Sequence, residues 1–96
     1  MAKFRFLQVA QSEYDRAFDW YLDKSTRAAE RFVTEVETAV ESIRKHPDQQ
    51  LRWDNTYRFR MLNKFPYFVA FRQSVDEVVI VAIRHTSQDQ DAWQGR

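Results

Sequence analysis

The 96 residues carry 15 Lys and Arg against 14 Asp and Glu, a formal net charge of +1, with 44% hydrophobic residues and no cysteine. A chain of this length builds one core, so residues 1–96 are expected to form a single domain. The charge balance speaks against a whole-protein polycation. The absence of thiols excludes a disulfide scaffold and a thiolate metal site, and fits a reducing compartment.

Lys3 to Val9 reads as a strand with Phe4 and Phe6 on one face and Leu7 and Val9 on the other. The stretch before Ser12 has no apolar core segment and no small-residue cleavage site, so no secretory signal is expected. Ser12 is a good N-cap for a first helix, with Glu13 and Asp15 at the positive end of its dipole. Tyr14, Ala17, Phe18 and Tyr21 form its inward stripe, and it should stop near Lys24. Asp15, Asp19 and Asp23 line another face. With no histidine or matching acids beside them, they read as a solvated face and not as a metal site.

Ser25 and Thr26 cap a second, longer helix. Its stripe runs through Ala29, Phe32, Val33, Val36, Val40 and Ile43, and Arg31–Glu35 and Glu41–Lys45 are pairs on its wet side. His46 falls in the last turn, and Pro47 forbids continuation. So short a turn between two helices makes an antiparallel helical hairpin.

Asp48 to Thr56 reads as a loop. Tyr57–Leu62, Phe65–Arg72 and Glu77–Arg84 then read as three strands, with turns at Asn63–Lys64 and Ser74–Asp76 that are too short for a crossover. They form an antiparallel meander. Val79, Val81 and Ile83 are expected on one face of the last strand, and Val78, Ile80 and Ala82 on the other. Both phases are apolar, so both faces should be covered. The six apolar residues from Val78 to Ile83 are too few to span a membrane. The tail from Asp89 to Arg96 should make a short helical turn around Trp93, packed on the core. The expected fold is α+β: an N-terminal strand, a helical hairpin and a three-stranded meander, with the helices on one sheet face.

The basic surplus sits in the meander. Residues 52–84 hold Arg52, Arg58, Arg60, Lys64, Arg72 and Arg84 against Asp54, Asp76 and Glu77. Arg58 and Arg60 share one strand face. Arg58, Arg60, Lys64, Arg72 and Arg84 are therefore candidates for contact with a partner. Trp53, in a polar loop, is either a partner anchor or a side chain folded back on the core. No glycine-rich phosphate loop exists, since Gly95 is the single glycine.

The ordered set of segments resembles the RelE/ParE superfamily of type II toxin–antitoxin toxins. Val9 to Ser12 is similar to the family's approach to its first helix. Ala28 to Phe32, with Ile43 to Pro47, is similar to its second helix. Tyr57 to Met61 and Phe65 to Arg72 resemble its arginine strand and its "FPY" strand. Val79 to His85, then Trp93 and Arg96, resemble the end of the ParE-like, plasmid-stabilisation branch. Gln90 departs from that pattern, because many ParE-like members have proline there.

The resemblance implies a cytoplasmic growth inhibitor, without metal or cofactor, held in check by an antitoxin whose amphipathic segment folds on it in a higher-order complex. It implies one of two targets: DNA gyrase for ParE-like members, or mRNA in the ribosomal A site for RelE-like members. A third possibility is a non-toxic module that only binds its antitoxin. Metal-free RNA cleavage needs a base, an acid and cations for the charged phosphorane. His85, Arg84, Arg60 and Arg58 are the candidates for that chemistry, and the plain alternative for His85 is a strand-end residue with a satisfied hydrogen bond. RelE-like nucleases use a cluster of lysines and arginines with a late tyrosine. Only Lys64 lies in that region here and no tyrosine follows Tyr67, which speaks against the nuclease. The FPY strand and the histidine–tryptophan tail make the resemblance nearer the ParE side.

Overall fold

The computed structural model describes residues 3–96. A strand, β1 (Lys3–Phe6), leads into helix α1 (Gln8–Lys24) and helix α2 (Thr26–Lys45). A single 3-10 turn at Pro47–Gln49 follows, then β2 (Leu51–Arg52), β3 (Tyr57–Met61), β4 (Tyr67–Gln73) and β5 (Glu77–His85). The strands make one five-stranded sheet in the order β1-β5-β4-β3-β2. β1 runs parallel to β5, and the other neighbours are antiparallel. The meander and the α+β layering are as expected; the sheet gains a parallel N-terminal edge and a two-residue strand at the other edge.

α1 begins four residues before the expected Ser12 cap, at Gln8, with Leu7 in the extended conformation and no side-chain cap. The apolar stripe explains this, because it runs backward from Tyr14 to Ala10, which is fully buried. A methyl side chain lets the helix start against the sheet, where Leu7 N–H donates to Ile80 O at 2.9 Å. Val9, expected in the strand, is an exposed helical residue. The shift moves Glu13 out of the first turn and aims it inward. Ser25 caps α2 as expected, its hydroxyl accepting from Ala28 N–H at 3.2 Å. α2 ends at Lys45, with His46 as C-cap, and proline then opens the 3-10 turn.

Each sheet face carries its own core. Under the helices lie Phe32, Val36, Ile43, Val69, Phe71 and Ile80, joined by the Phe32–Phe65 and Phe32–Tyr67 edge contacts at 5.4 and 5.1 Å. On the opposite face Trp93, fully buried, packs on Tyr57, Phe68 and Val81. The tail makes turns and not the expected helical turn. It is strapped down by Gly95 N–H donating to the Tyr57 hydroxyl at 2.9 Å and by Arg72 Nε donating to Arg96 O at 3.1 Å. Gly95 holds φ at +93°, a conformation that a side chain at that position would strain.

The expected alternation in β5 is broken by a bulge. Ala70 pairs with Ala82 while Phe71 pairs with Ile80, so Val81 is the extra residue. Ile83 consequently joins Val78 and Ile80 under the helices, and Ala82 joins Val79 and Val81 beneath the tail. The same phase change directs His85 to the helix side and Arg84 to the tail side. Among the described residues, no helix is long and apolar enough to cross a membrane.

Candidate functional site

The bulge and the early start of α1 together build a cleft at the end of the sheet. Glu13, Arg16 and Trp20 on α1 face Tyr67 on β4 and His85 on β5, with Tyr21 along one wall, around about 370 Å³. Trp20 stands 56% exposed at its mouth. The His85 and Tyr67 rings meet edge to face at 5.1 Å. Burial pushes the Tyr67 phenol up, and the neighbouring Tyr21 adds to the rise. Burial likewise raises Tyr21. Both phenols therefore stay protonated at neutral pH.

His85 is held by its own turn. Its Nδ1 accepts from Ser87 N–H at 3.0 Å and lies 2.7 Å from the Ser87 hydroxyl, while its backbone N–H donates to Gln88 Oε1 at 2.9 Å. An acceptor at Nδ1 places the neutral ring's hydrogen on Nε2, so the free nitrogen is a donor. Accepting a proton at Nε2 would require the other tautomer and the loss of the Ser87 N–H bond.

Arg84 also lines this cleft, where a nearly buried ion cluster holds its guanidinium. Its Nη1 donates to Glu13 Oε2 at 2.8 Å and its Nη2 to Asp89 O at 3.2 Å. Arg96 Nη1 donates to Glu13 Oε1 at 2.9 Å and to Val81 O at 3.1 Å. Ile83 N–H reaches the same Glu13 oxygen at 3.2 Å. β1 pairs with β5 only as far as Ile80, so one carboxylate and one guanidinium close the strand edge that β1 leaves open. Sequence reasoning missed Glu13. The signal was a carboxylate three residues after Ala10 on the inward stripe of α1.

Arg58 and Arg60 lie on β3, two strands from β5 and thus roughly 10 Å across the sheet. Arg58 Nη1 donates to Asp48 O and Gln50 O at 3.2 and 2.9 Å, and Arg60 Nη1 donates to Gln50 Oε1 at 3.3 Å. Gln50, 7% exposed, ties both to the end of α2 by donating to Ser42 O and Oγ and to His46 O. Nothing in the sequence distinguished Gln50 from its polar neighbours.

Lys64 sits in the turn after β3, where the Asn63 and Lys64 N–H groups donate to Glu35 Oε1 at 2.7 and 3.1 Å. Glu35 thus serves the turn and not the expected pair with Arg31, whereas Glu41 does pair with Lys45 at 3.6 Å and also with Arg44. Arg72 anchors the tail. Trp53 folds back on Phe59, Phe68 and Trp93, with ring centroids at 5.5, 5.8 and 5.1 Å. The His85 cleft therefore includes Arg84 but does not gather Arg58 and Arg60.

Among the described residues no group of three or more His, Asp or Glu side chains is arranged to hold a metal ion. The family model for the ParE toxin of the type II toxin–antitoxin system parDE matches residues 4–90. No curated protein is a significant match. Among solved structures, the chromosomal ParDE toxin–antitoxin system from P. aeruginosa contains a chain similar to this one. It is 19% identical with a TM-score of 0.76, and the match covers 88% of this chain and 96% of that one. At that identity the likeness is one of fold.

Proposed function

The chain belongs to the ParE toxin family of type II toxin–antitoxin systems, and from that premise we propose that it arrests growth by poisoning DNA gyrase. It does so through a protein–protein contact and without an active site of its own, and a cognate antitoxin neutralises it in the cytoplasm. One observation carries this reading: the groups that metal-free RNA cleavage would need are either already engaged or lie outside the cleft. His85 offers the cleft a donor and not a base. Arg84 lines the same cleft, but its guanidinium is committed to Glu13, and Arg58 and Arg60 belong to the Gln50 sling across the sheet. Electrostatic stabilisation of a phosphorane requires its donors to converge within hydrogen-bond reach of one atom, and these do not.

The test is induced expression without antitoxin, with precursor incorporation into DNA and protein followed in parallel. DNA synthesis should stop first, with gyrase-linked breaks accumulating. An early stop of translation, with mRNA cut only in translating ribosomes, would overturn the reading in favour of a ribosome-dependent nuclease. His85→Ala is the discriminating variant, because Arg84→Ala removes half of a buried ion pair and confounds folding with activity. Toxicity should survive His85→Ala. Normal growth on induction of the wild-type chain would mean a module that only binds its antitoxin.

A further inference from the structure

α1 brings one stripe of residues to the end of β4 and β5. Glu13, Arg16, Ala17 and Trp20 are spaced at three and four positions, so they share a helix face. That face, with Tyr67 and His85 across from it, lines the cleft of about 370 Å³. The single acidic side chain of the cleft is spent. Both Glu13 oxygens are taken, by Arg84, by Arg96 and by the Ile83 N–H. Arg16, one turn further along, receives none of that charge. Among the described residues the ion pairs to carboxylates involve Arg5, Arg44, Lys45, Arg84 and Arg96, and none involves Arg16.

The cleft is therefore short of negative charge. One carboxylate shared by two guanidiniums leaves the nearly buried cluster with positive charge in excess. Arg84 Nε in that cluster is buried and has no hydrogen-bond partner. Arg16 adds an unpaired cation at the exposed wall, and Lys24 Nζ adds another near the mouth, 5.1 Å from the Trp20 ring centroid. Low-dielectric walls focus such a field on whatever enters. His85, whose Nδ1 accepts from Ser87, presents a donor at Nε2. The rest of the lining is flat and apolar: Trp20 stands exposed beside Tyr21, ring centroids 5.0 Å apart, and Ala17 is buried between their turns.

We propose that this cleft binds a small aromatic carboxylate as a free molecule. The ring lies against Trp20 and Tyr21, and the carboxylate faces the Arg16 guanidinium and the His85 Nε2–H. The cleft's volume is near the lower end of ligand clefts, about 300–1,000 Å³, which suits one or two fused rings. A guanidinium takes a carboxylate in a planar, two-point contact. A phosphate would call for a helix N-terminus or a nest of backbone N–H groups, and the cleft is walled instead by the middle of α1 and the end of β5. The site needs neither the target nor the antitoxin proposed above.

The probe is 2-naphthoate, titrated into the full chain by calorimetry, with backbone amide shifts followed in parallel. Binding should be saturable, one-to-one and submillimolar, with the shifts gathered at Ala17, His85 and Gln88. The neutral 2-naphthamide should bind about tenfold more weakly, and Arg16→Gln should weaken 2-naphthoate by a similar factor. Arg16 is exposed and makes no hydrogen bond within the chain among the described residues, so folding does not confound that variant. Trp20→Ala should also weaken the probe several-fold, through the lost ring contact. No saturation in the millimolar range, equal binding of the amide, an unchanged affinity for Arg16→Gln, or shifts gathered elsewhere would each overturn the proposal. Tighter binding of phenyl phosphate than of benzoate would overturn the carboxylate assignment. Gyrase poisoning without naphthoate binding would sink this site alone, whereas naphthoate binding with untouched gyrase would refute the proposed target and leave this site standing.

Discussion

The chain uses arginine in two opposite ways at the two margins of its sheet. Beside β5, Arg84 and Arg96 are nearly buried, and both pair with Glu13. Beside β2, Arg52, Arg58 and Arg60 lie on one face with only carbonyl and amide oxygens for company. Composition does not distinguish the two groups. Register does: a bulge at Val81 turns Arg84 toward the tail, and an in-register pair sets Arg52 against Arg58. The first group is part of the fold. The second is charge that the fold keeps at its surface.

The sharpest way to break this contrast is at Glu13. Glu13→Gln keeps the shape but leaves two guanidiniums largely desolvated without a countercharge, which should cost about 3–5 kcal/mol, read as a fall in the urea midpoint. If the loss is below about 1 kcal/mol, the cluster behaves as a surface pair and the contrast fails. Gln50→Ala comes next. It removes a buried amide that bonds α2 and Arg60, for about 1–2 kcal/mol. It should also loosen Arg60, visible as faster side-chain nitrogen relaxation, while Arg84 stays rigid. A Gln50 variant as unstable as the Glu13 variant would mean that the β2 margin is structural too.

How far all this was legible in the sequence follows from which signals were local. The helical hairpin, its Ser25 cap and the meander were legible because periodicity and turn residues are written in neighbouring positions. Trp93 in the core followed from size and apolarity alone. The start of α1 was misplaced because Ser12 looks like a cap, while the deciding contact, Ala10 against the sheet, is long-range. The phase of β5 was misjudged because every residue from Val78 to Ile83 is apolar, so alternation carries no information about a bulge. β2 is two residues long and has no period to detect. Glu13, Arg96 and Gln50 were missed because their roles are made by register and tail docking, not by spacing. Arg58 and Arg60 were singled out from their spacing; Arg52, their cross-strand neighbour, required the ladder.

A smaller effect of opposite sign sharpens the contrast. Neutralising one member of a like-charged cross-strand pair relieves repulsion, so Arg52→Gln should raise stability by about 0.2–1 kcal/mol. The gain should shrink as salt is added, because the repulsion is exposed to solvent. A destabilised Arg52→Gln would show that the guanidinium serves the fold, and the β2 margin would then resemble the β5 margin.

Arg5 stands between the two extremes, and its effect should be the smallest. It pairs with Glu77 at the parallel seam of β1 and β5, Nε to Oε2 at 2.9 Å and Nη2 to Oε1 at 3.3 Å, in the open. The Arg5 hydrogen bond is the main reason the Glu77 carboxyl falls below its usual range; desolvation opposes it, and the charges of Arg5, Arg72 and Lys3 help. A carboxyl whose folded pKa is depressed contributes stability above its unfolded value and loses that contribution as pH drops through the folded one. The urea midpoint should therefore decline slightly on the acid side, and Arg5→Gln should flatten that decline while returning the Glu77 carbon titration toward the ordinary range. Solvent screens this pair, as it does not screen Glu13. If Arg5→Gln proved as costly as Glu13→Gln, burial would not be what separates the arginines of this chain, and the division between fold charge and surface charge would have to be redrawn.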